Sequence, residues 1–540
     1  MASFNPYGNL NEAEQEGVAA RRKTRQRITI IVVSSIVLVA IMGGIFLFTQ
    51  TRDAGGLSTS LKASCAATLY PNTCYTSLSP LIKPRHVSPH DIYKLSLQVS
   101  LGELSRAADG FFQHPTVQKV VADNNRTLAA LESCRELFSL ALDHLNDSAS
   151  SAAASLHDHR TWLSAAATYQ ETCVEDLSTA SAALGALAAG HLGNCTEYTS
   201  NSLALVSAAE EALGGGAGGR RMLEMPAGQM KFDAVVARDG SGGYTTIAAA
   251  LKMVPEKSKK RFVIYVKRGT YFENVRIEKK MWNVMMIGDG KDATIVSGRL
   301  NHADGTPTFQ SATFAVKGKG FMVRDMGFVN TAGASKGQAV ALMSTADRSA
   351  FYRCKMDGYQ DTLYPHSNRQ FYRECDIYGT VDFIFGNAAV VIQNCNIMPK
   401  LPLHGQKNTI TAQGKKDPNQ NTGISIHNCI IRPTANLTGV NNFLGRPWKN
   451  YSTTIFLQNK MEGFIDPKGW LPWVGTTAPS TIFYAEYRNW GPGAGTSDRV
   501  KWSGLRLKLN AQQVSRFTVE EFINRDKWIN EMGVTYKSGL

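Results

Sequence analysis

The chain has 540 residues, 43% of them apolar and 19% charged, and a formal charge of +14 at pH 7. That length exceeds one compact core, so two or more domains are expected. The basic balance favours acidic partners such as anionic lipid or a polyanionic sugar; no basic cluster interleaved with aromatics stands out, which argues against nucleic acid.

At the N-terminus, "RRKTRQR" (21–27) runs into "ITIIVVSSIVLVAIMGGIFLF" (28–48), with no charge until Arg52. Such a run can cross a hydrocarbon core of about 30 Å. It exceeds the apolar stretch of about 7–15 residues found in cleaved signal peptides. Residues 1–27 therefore read as a cytosolic basic tail and 28–48 as a transmembrane signal anchor, with the remainder lumenal. A cleaved signal peptide is the alternative. In an oxidising lumen the nine cysteines are expected to form disulfides. Five sequons, at Asn125, Asn146, Asn194, Asn436 and Asn450, fit a glycoprotein of the secretory pathway.

Residues 58–213 are rich in Ala, Leu and Ser. Helical periodicity marks "IYKLSLQVSLGELSRAA" (92–108), "LAALESCRELFSLALDHL" (128–145), "TWLSAAATYQETCVEDL" (161–177) and "SNSLALVSAAEEAL" (200–213). Four such segments with short connections predict an antiparallel helical bundle. Cys65 and Cys74 can staple an N-terminal hairpin, Cys134 and Cys173 can tie two helices together, and Cys195 is left over.

"GGGAGG" (214–219) is a flexible linker, followed at once by Arg220, Arg221, Met222 and Leu223. A dibasic pair in an exposed linker invites a lumenal protease, so 214–223 is read as a linker with a processing site.

From residue 228 to 540 short strand-like runs replace the helices. A repeat is visible in "AFYRCKM", "QFYRECDI", "VIQNCNI" and "SIHNCII", whose cysteines are 354, 375, 395 and 429. Strand repeats near 20 residues predict a β-solenoid. Stacked coils lie about 4.8 Å apart, and a disulfide spans a Cα separation of about 4.4–6.8 Å. Cys354–Cys375 and Cys395–Cys429 are accordingly expected to be bonded.

Asp361 and Asp382 each follow one of these cysteines by seven residues, inside "QDTLY" and "VDFIFG". Stacked cysteines would place the two aspartates on adjacent coils. Neighbouring carboxylates drive their pKa values apart, giving one protonated acid and one ionised base or nucleophile. A solvated aspartate ladder or a calcium site is the bland alternative; Phe383, Ile384 and Phe385 deny the pair free solvation.

"GTYFENV" (269–275), "GQAVAL" (337–342), "GYQDTLY" (358–364), "DFIFGN" (382–387) and "LGRPW" (444–448) together resemble the signature segments of plant pectin methylesterases, in the family's order and spacing. The helical part, with its four paired cysteines and unpaired Cys195, resembles the pectin methylesterase inhibitor domain. The resemblance implies an all-α four-helix, inhibitor-like pro-region ahead of an all-β right-handed parallel β-helix. It implies an aspartyl esterase that hydrolyses the C6 methyl ester of galacturonate in cell-wall pectin, releasing methanol. Asp382 would be the nucleophile and Asp361 the acid and then the base. Gln360 would donate to the oxyanion, and Arg446 would hold Asp382. Thr308, Gln338, Arg446 and Trp448 would contact substrate, with Tyr364 and Phe385 beside Trp448 in an aromatic platform. No metal or organic cofactor is implied; His366, His404 and His427 lack ligand-like spacing. The precursor would sit in the Golgi membrane, restrained by its own helical domain until cut after "RRML", and the freed enzyme would reach the cell wall. A pectate lyase or a polygalacturonase are rival enzyme readings, and neither accounts for "QDTLY" together with "LGRPW"; a non-enzymatic wall-binding protein is a third reading, against which the intact Asp361, Asp382, Gln360 and Arg446 argue.

Overall fold

The structure, a computed structural model, describes residues 54–82, 88–120, 125–151, 154–212, 231–524 and 527–540. The expected cytosolic tail, membrane anchor, glycine linker and RRML site lie outside the described residues. Among the described residues no helix is long and apolar enough to cross a membrane.

The N-terminal part is a helical bundle. Its helices are α1 (Ala54–Ala66), α2 (Pro71–Leu78), α3 (Pro89–Gln113), α4 (Pro115–Val120), α5 (Asn125–Ser150), α6 (Leu156–Ala180) and α7 (Ala182–Ala212). Four are long; three contain one periodic segment each, and α7 holds the fourth up to residue 212. Helix α7 begins well before residue 200, because "AALGALAAGHLG" is helix-favouring but too uniformly small to show an amphipathic period. Ser88 and Ser155 cap α3 and α6 through reciprocal boxes with Asp91 and Asp158. Disulfides Cys65–Cys74 and Cys134–Cys173 close the α1–α2 hairpin and join α5 to α6. Cys195 is a buried free thiol.

The second part is a parallel β-helix of three sheets with eleven, seven and eight strands. Most coils contribute one short strand to each sheet, and inward residues stack in rows. Leu342, Leu363 and Ile384 are in register on three successive coils, and all are fully buried. Helices α8 (Ala511–Ser515), α9 (Val519–Phe522) and α10 (Trp528–Glu531) pack on the eleven-stranded sheet; the strand-like composition gave no sign of them.

The cysteine repeat does mark the coils, but Cys354, Cys375, Cys395 and Cys429 are free thiols, contrary to the two bridges expected. The amide of Cys354 donates to Sγ of Cys375, that of Cys375 to Cys395 and that of Cys395 to Cys429. The series continues with asparagine: the Cys429 amide donates to Oδ1 of Asn459, and the Asn459 amide to Oδ1 of Asn489. The thiol is thus one acceptor in a ladder that asparagine also fills. Identical side chains on parallel coils keep their Cβ atoms near the strand spacing of about 4.8 Å. A disulfide prefers about 3.8 Å between Cβ atoms, and Cα spacing alone did not reveal the mismatch. The residue before each rung, Arg353, Glu374, Asn394, Asn428 and Gln458, has a φ between 52° and 55°, which turns the chain sharply from one sheet to the next.

Alkylating the denatured, unreduced protein should label Cys195, Cys354, Cys375, Cys395 and Cys429 and leave the other four cysteines unmodified. Recovery of a Cys354–Cys375 peptide under those conditions would contradict the ladder.

Candidate active site

The site forms where the chain enters the seven-stranded sheet. Asp361 and Asp382 lie two residues before the paired positions Leu363 and Ile384, so they are neighbours on adjacent coils. Both have left-handed backbones, φ 63° and 51°. Aspartate tolerates that region better than most residues, at a cost of order 1–2 kcal/mol. The Asp361 amide donates to the Val381 carbonyl at 3.1 Å. Both side chains are buried, 7% and 5% exposed.

Their surroundings differ. Arg446 lies two strands further along the sheet, just beyond strand Asn442–Gly445. Its Nε donates to Asp382 Oδ1 at 2.9 Å, and its second guanidinium nitrogen to Oδ2 at 2.6 Å. Thr409, in strand Asn408–Gln413, donates its hydroxyl to Asp382 Oδ1 at 2.6 Å and accepts the Asp382 amide at 2.8 Å. Asp382 is therefore clamped through both its carboxylate and its backbone. Asp361 receives no such clamp from Arg446. Burial first, and then the adjacent Asp382, push its carboxyl well above the usual range, and Arg446 offsets this only in part.

Gln360 lines a cavity of about 520 Å³ together with Arg446, Thr409, Lys407 and Trp473. Trp473 lies under the Arg446 guanidinium at 4.3 Å. Gln338 is one coil away: Ala339 donates its amide to the Gln360 carbonyl. Thr308 opens a short 3-10 turn, Thr308–Gln310, and is not among the residues lining this cavity. Trp448 faces Trp473 at 6.3 Å and Phe385 at 6.3 Å, and Phe385 stacks on Tyr364 at 4.0 Å. Asp361, Asp382, Gln360 and Arg446 therefore meet, with Gln338 beside them and Trp448 linked to them through Trp473. No cluster suited to a metal ion occurs among the described residues. Asn125, Asn146, Asn194, Asn436 and Asn450 are all exposed.

Thr409 and Trp473 were missed in the sequence. Residues 400–407 and 414–422 enlarge the coil after Cys395, so the period that paired Asp361 with Asp382 no longer predicts what stacks on Asp382.

The helical bundle packs on this same face. Outward residues Ala315, Met343, Tyr364, Phe385 and Ala412 form a row in register across the sheet, and all join the core of the bundle. Helix α6 lies over the far ends of these strands. Thr172 bonds His366 at 2.8 Å, Asn387 donates to Thr168 at 2.9 Å, and Arg369 bridges Asp158 of α6 and Asp347 of the β-helix. Glu171 and Glu175 pair with Lys449, and Glu171 also with Lys416. The bundle covers the aromatic row, whereas the cavity at Gln360 and Arg446 is lined by the β-helix alone.

The family model for pectinesterase matches residues 233–526, and that for plant invertase/pectin methylesterase inhibitor matches 59–205. A relative from Arabidopsis thaliana named "Probable pectinesterase/pectinesterase inhibitor 46" is 50% identical over 98% of this chain and 99% of its own. Pectinesterase 3 of Phaseolus vulgaris is 46% identical over 100% of both. Among solved structures, the pectin methylesterase from carrot is 48% identical with a TM-score of 0.57, covering 58% of this chain and 100% of its own.

Two outcomes check the geometry. A carboxyl whose pKa is raised by folding stabilises the fold below its unfolded pKa near 4 and loses that contribution as pH rises through the folded value. Asp361→Asn should therefore melt at a higher temperature than the parent at neutral pH, with the difference vanishing below about pH 4; equal melting at every pH would contradict the raised carboxyl. Thr409→Val should lower turnover roughly ten- to a hundredfold while the fold persists. Thr409→Ser, which keeps the hydroxyl, should recover most of it; equal losses for both would make Thr409 a packing residue only.

Proposed function

Because the chain belongs to the pectinesterase family and carries a pectin methylesterase inhibitor-like region ahead of its β-helix, we propose that it demethylesterifies pectin through an aspartyl acyl-enzyme and is held inactive by its own bundle. The observation that carries the chemistry is the asymmetry of the pair: Asp382 gripped by Arg446 and Thr409, Asp361 buried beside it with its pKa pushed up.

An Asp382 carboxylate oxygen attacks the C6 ester carbonyl, whose oxygen becomes an oxyanion. The side-chain amide of Gln360, in the same cavity, donates to that oxyanion. Collapse breaks the bond to the methoxy oxygen, and Asp361 delivers its proton so that methanol leaves. The result is a mixed anhydride between Asp382 and the galacturonate. Asp361, now a carboxylate, takes a proton from water as that water attacks the acyl carbon. Asp382 is regenerated, Asp361 is again protonated, and the sugar leaves with a carboxylic acid that gives its proton to solvent and becomes a carboxylate. Ester and water have become acid and methanol.

The bundle supports a reading of restraint. It occupies the row containing Tyr364 and Phe385, surface that sugar rings would need. Tethering keeps its local concentration high, so modest affinity suffices. A cut after Arg220, Arg221, Met222 and Leu223 would free the β-helix from both bundle and membrane anchor, in keeping with a Golgi precursor and a cell-wall product.

Residues 228–540 should release methanol from highly methylated pectin. Asp382→Asn should fold but lose turnover by roughly a thousandfold or more; a folded variant with near-normal release would refute the assignment of the nucleophile. Replacing Arg220 and Arg221 by neutral residues should leave a full-length, membrane-bound, inactive precursor. Delivery of an active soluble fragment of normal size by that variant would place the cut elsewhere.

A further inference from the structure

Helix α6 presents two carboxylates one turn apart, Glu171 and Glu175, to two lysines of the β-helix. Lys449 Nζ meets Glu171 Oε1 at 3.1 Å and pairs with Glu175, while Lys416 pairs with the other oxygen of Glu171. One carboxylate thus bridges two ammonium groups that come from separate loops of the β-helix. Lys449 is only 19% exposed, and its ammonium lies 5.3 Å from the ring centre of Trp448. Around this contact a cavity of about 370 Å³ remains between helix and β-helix, lined also by Tyr364, Asn387 and Trp448. An aromatic face, an amide and two cations converging on a cavity are the chemistry of a site for an acidic sugar. Trp448 faces Trp473 at 6.3 Å, and Trp473 lies under Arg446 at 4.3 Å, so ring contacts link this site to the catalytic carboxylates.

We propose that Lys416 and Lys449 form a subsite for the free carboxylate of an already de-esterified galacturonate, and that Glu171 and Glu175 occupy it in the precursor as mimics of that carboxylate. The proposal rests on the pectinesterase reading and deepens it. Each turnover converts a neutral ester into a carboxylate on the same polymer. A cationic subsite there retains a chain that carries such groups and presents the next ester to Asp382. In the uncut chain the subsite is filled. Burial pushes both glutamate carboxyls toward the neutral form. At Glu171, Lys449 and Lys416 more than offset it and hold the carboxyl below its usual range. At Glu175, Lys449 offsets it only in part and the carboxyl stays above its usual range, so Glu171 is the closer mimic. Removing the bundle opens the subsite together with the aromatic row.

The test uses residues 228–540, which hold the whole match to the pectinesterase family model, 233–526; a solved pectin methylesterase is covered over its full length by 58% of this chain. Binding of an unesterified oligogalacturonate and of its fully methyl-esterified counterpart is measured by calorimetry, for the parent, the double variant Lys416→Gln/Lys449→Gln and the charge-keeping Lys416→Arg/Lys449→Arg. The glutamine pair should bind the unesterified oligomer roughly three- to tenfold more weakly and lose the parent's preference for it over the ester. The arginine pair should keep that preference. Undiminished binding by the glutamine pair, or equal loss for both oligomers, would overturn the proposal and leave the lysines as anchors for the bundle alone. Binding needs no turnover. Methanol release by the parent fragment, measured alongside, reports separately on the esterase reading.

Discussion

A carboxylate buried as deeply as Asp382 is tolerable only with a charged partner and filled hydrogen bonds. Arg446 and Thr409 supply both, and the rest of the β-helix can be understood as the frame that brings them there. Arg446 is 64 residues away in sequence and two strands away in the sheet. Between them lies the enlarged coil with its two long loops, yet strand Asn408–Gln413 keeps register with its neighbours on both sides. The parallel ladder fixes the height of each coil, so a side chain two coils on reaches Asp382 in one defined orientation. The bidentate fork then requires the planar guanidinium, which a lysine would not reproduce.

The same ladder makes two like residues unlike. Asp361 and Asp382 have the same backbone conformation, the same burial and matching positions on successive coils. The coils that follow distinguish them, through Arg446 two coils beyond Asp382 and through the nearest neighbour of each. Thr409 stands beyond Asp382, whereas Asp382 itself stands beyond Asp361. One aspartate thus has a donor as its neighbour and the other has an acid. The division of labour between proton donor and nucleophile arises from stacking order, with no special residue at either position.

What could be read from the sequence follows the regularity of the coils. The spacing of 21 residues was enough to predict the solenoid and the aspartate pair, because it is undisturbed between Cys354 and Asp382. Arg446 was accessible only through family resemblance, since the long coil intervenes. The thiol ladder was misread because a stack of cysteines satisfies the Cα spacing of a disulfide; the decisive fact, that an asparagine accepts the same amide bond at the next rung, depends on side-chain direction. In the bundle, amphipathic helices were visible, while the Ala- and Gly-rich start of α7 was not. The row of outward apolar residues, Met343, Tyr364 and Phe385, was hidden among strand residues that all looked buried. On a β-helix such a row needs a cover, and the bundle provides it on the same face that sugar rings would use.

Burial and the neighbouring Asp382 push the Asp361 carboxyl well above its usual range, while Arg446 and Thr409 grip Asp382. Infrared difference spectroscopy of residues 228–540 with isotope-labelled aspartate reads this directly, because a protonated carboxyl has a carbonyl stretch that a carboxylate lacks. One protonated aspartate band is expected at neutral pH, disappearing in Asp361→Asn and persisting in Asp382→Asn. A spectrum without that band, or a band that vanishes with Asp382 instead, would contradict it.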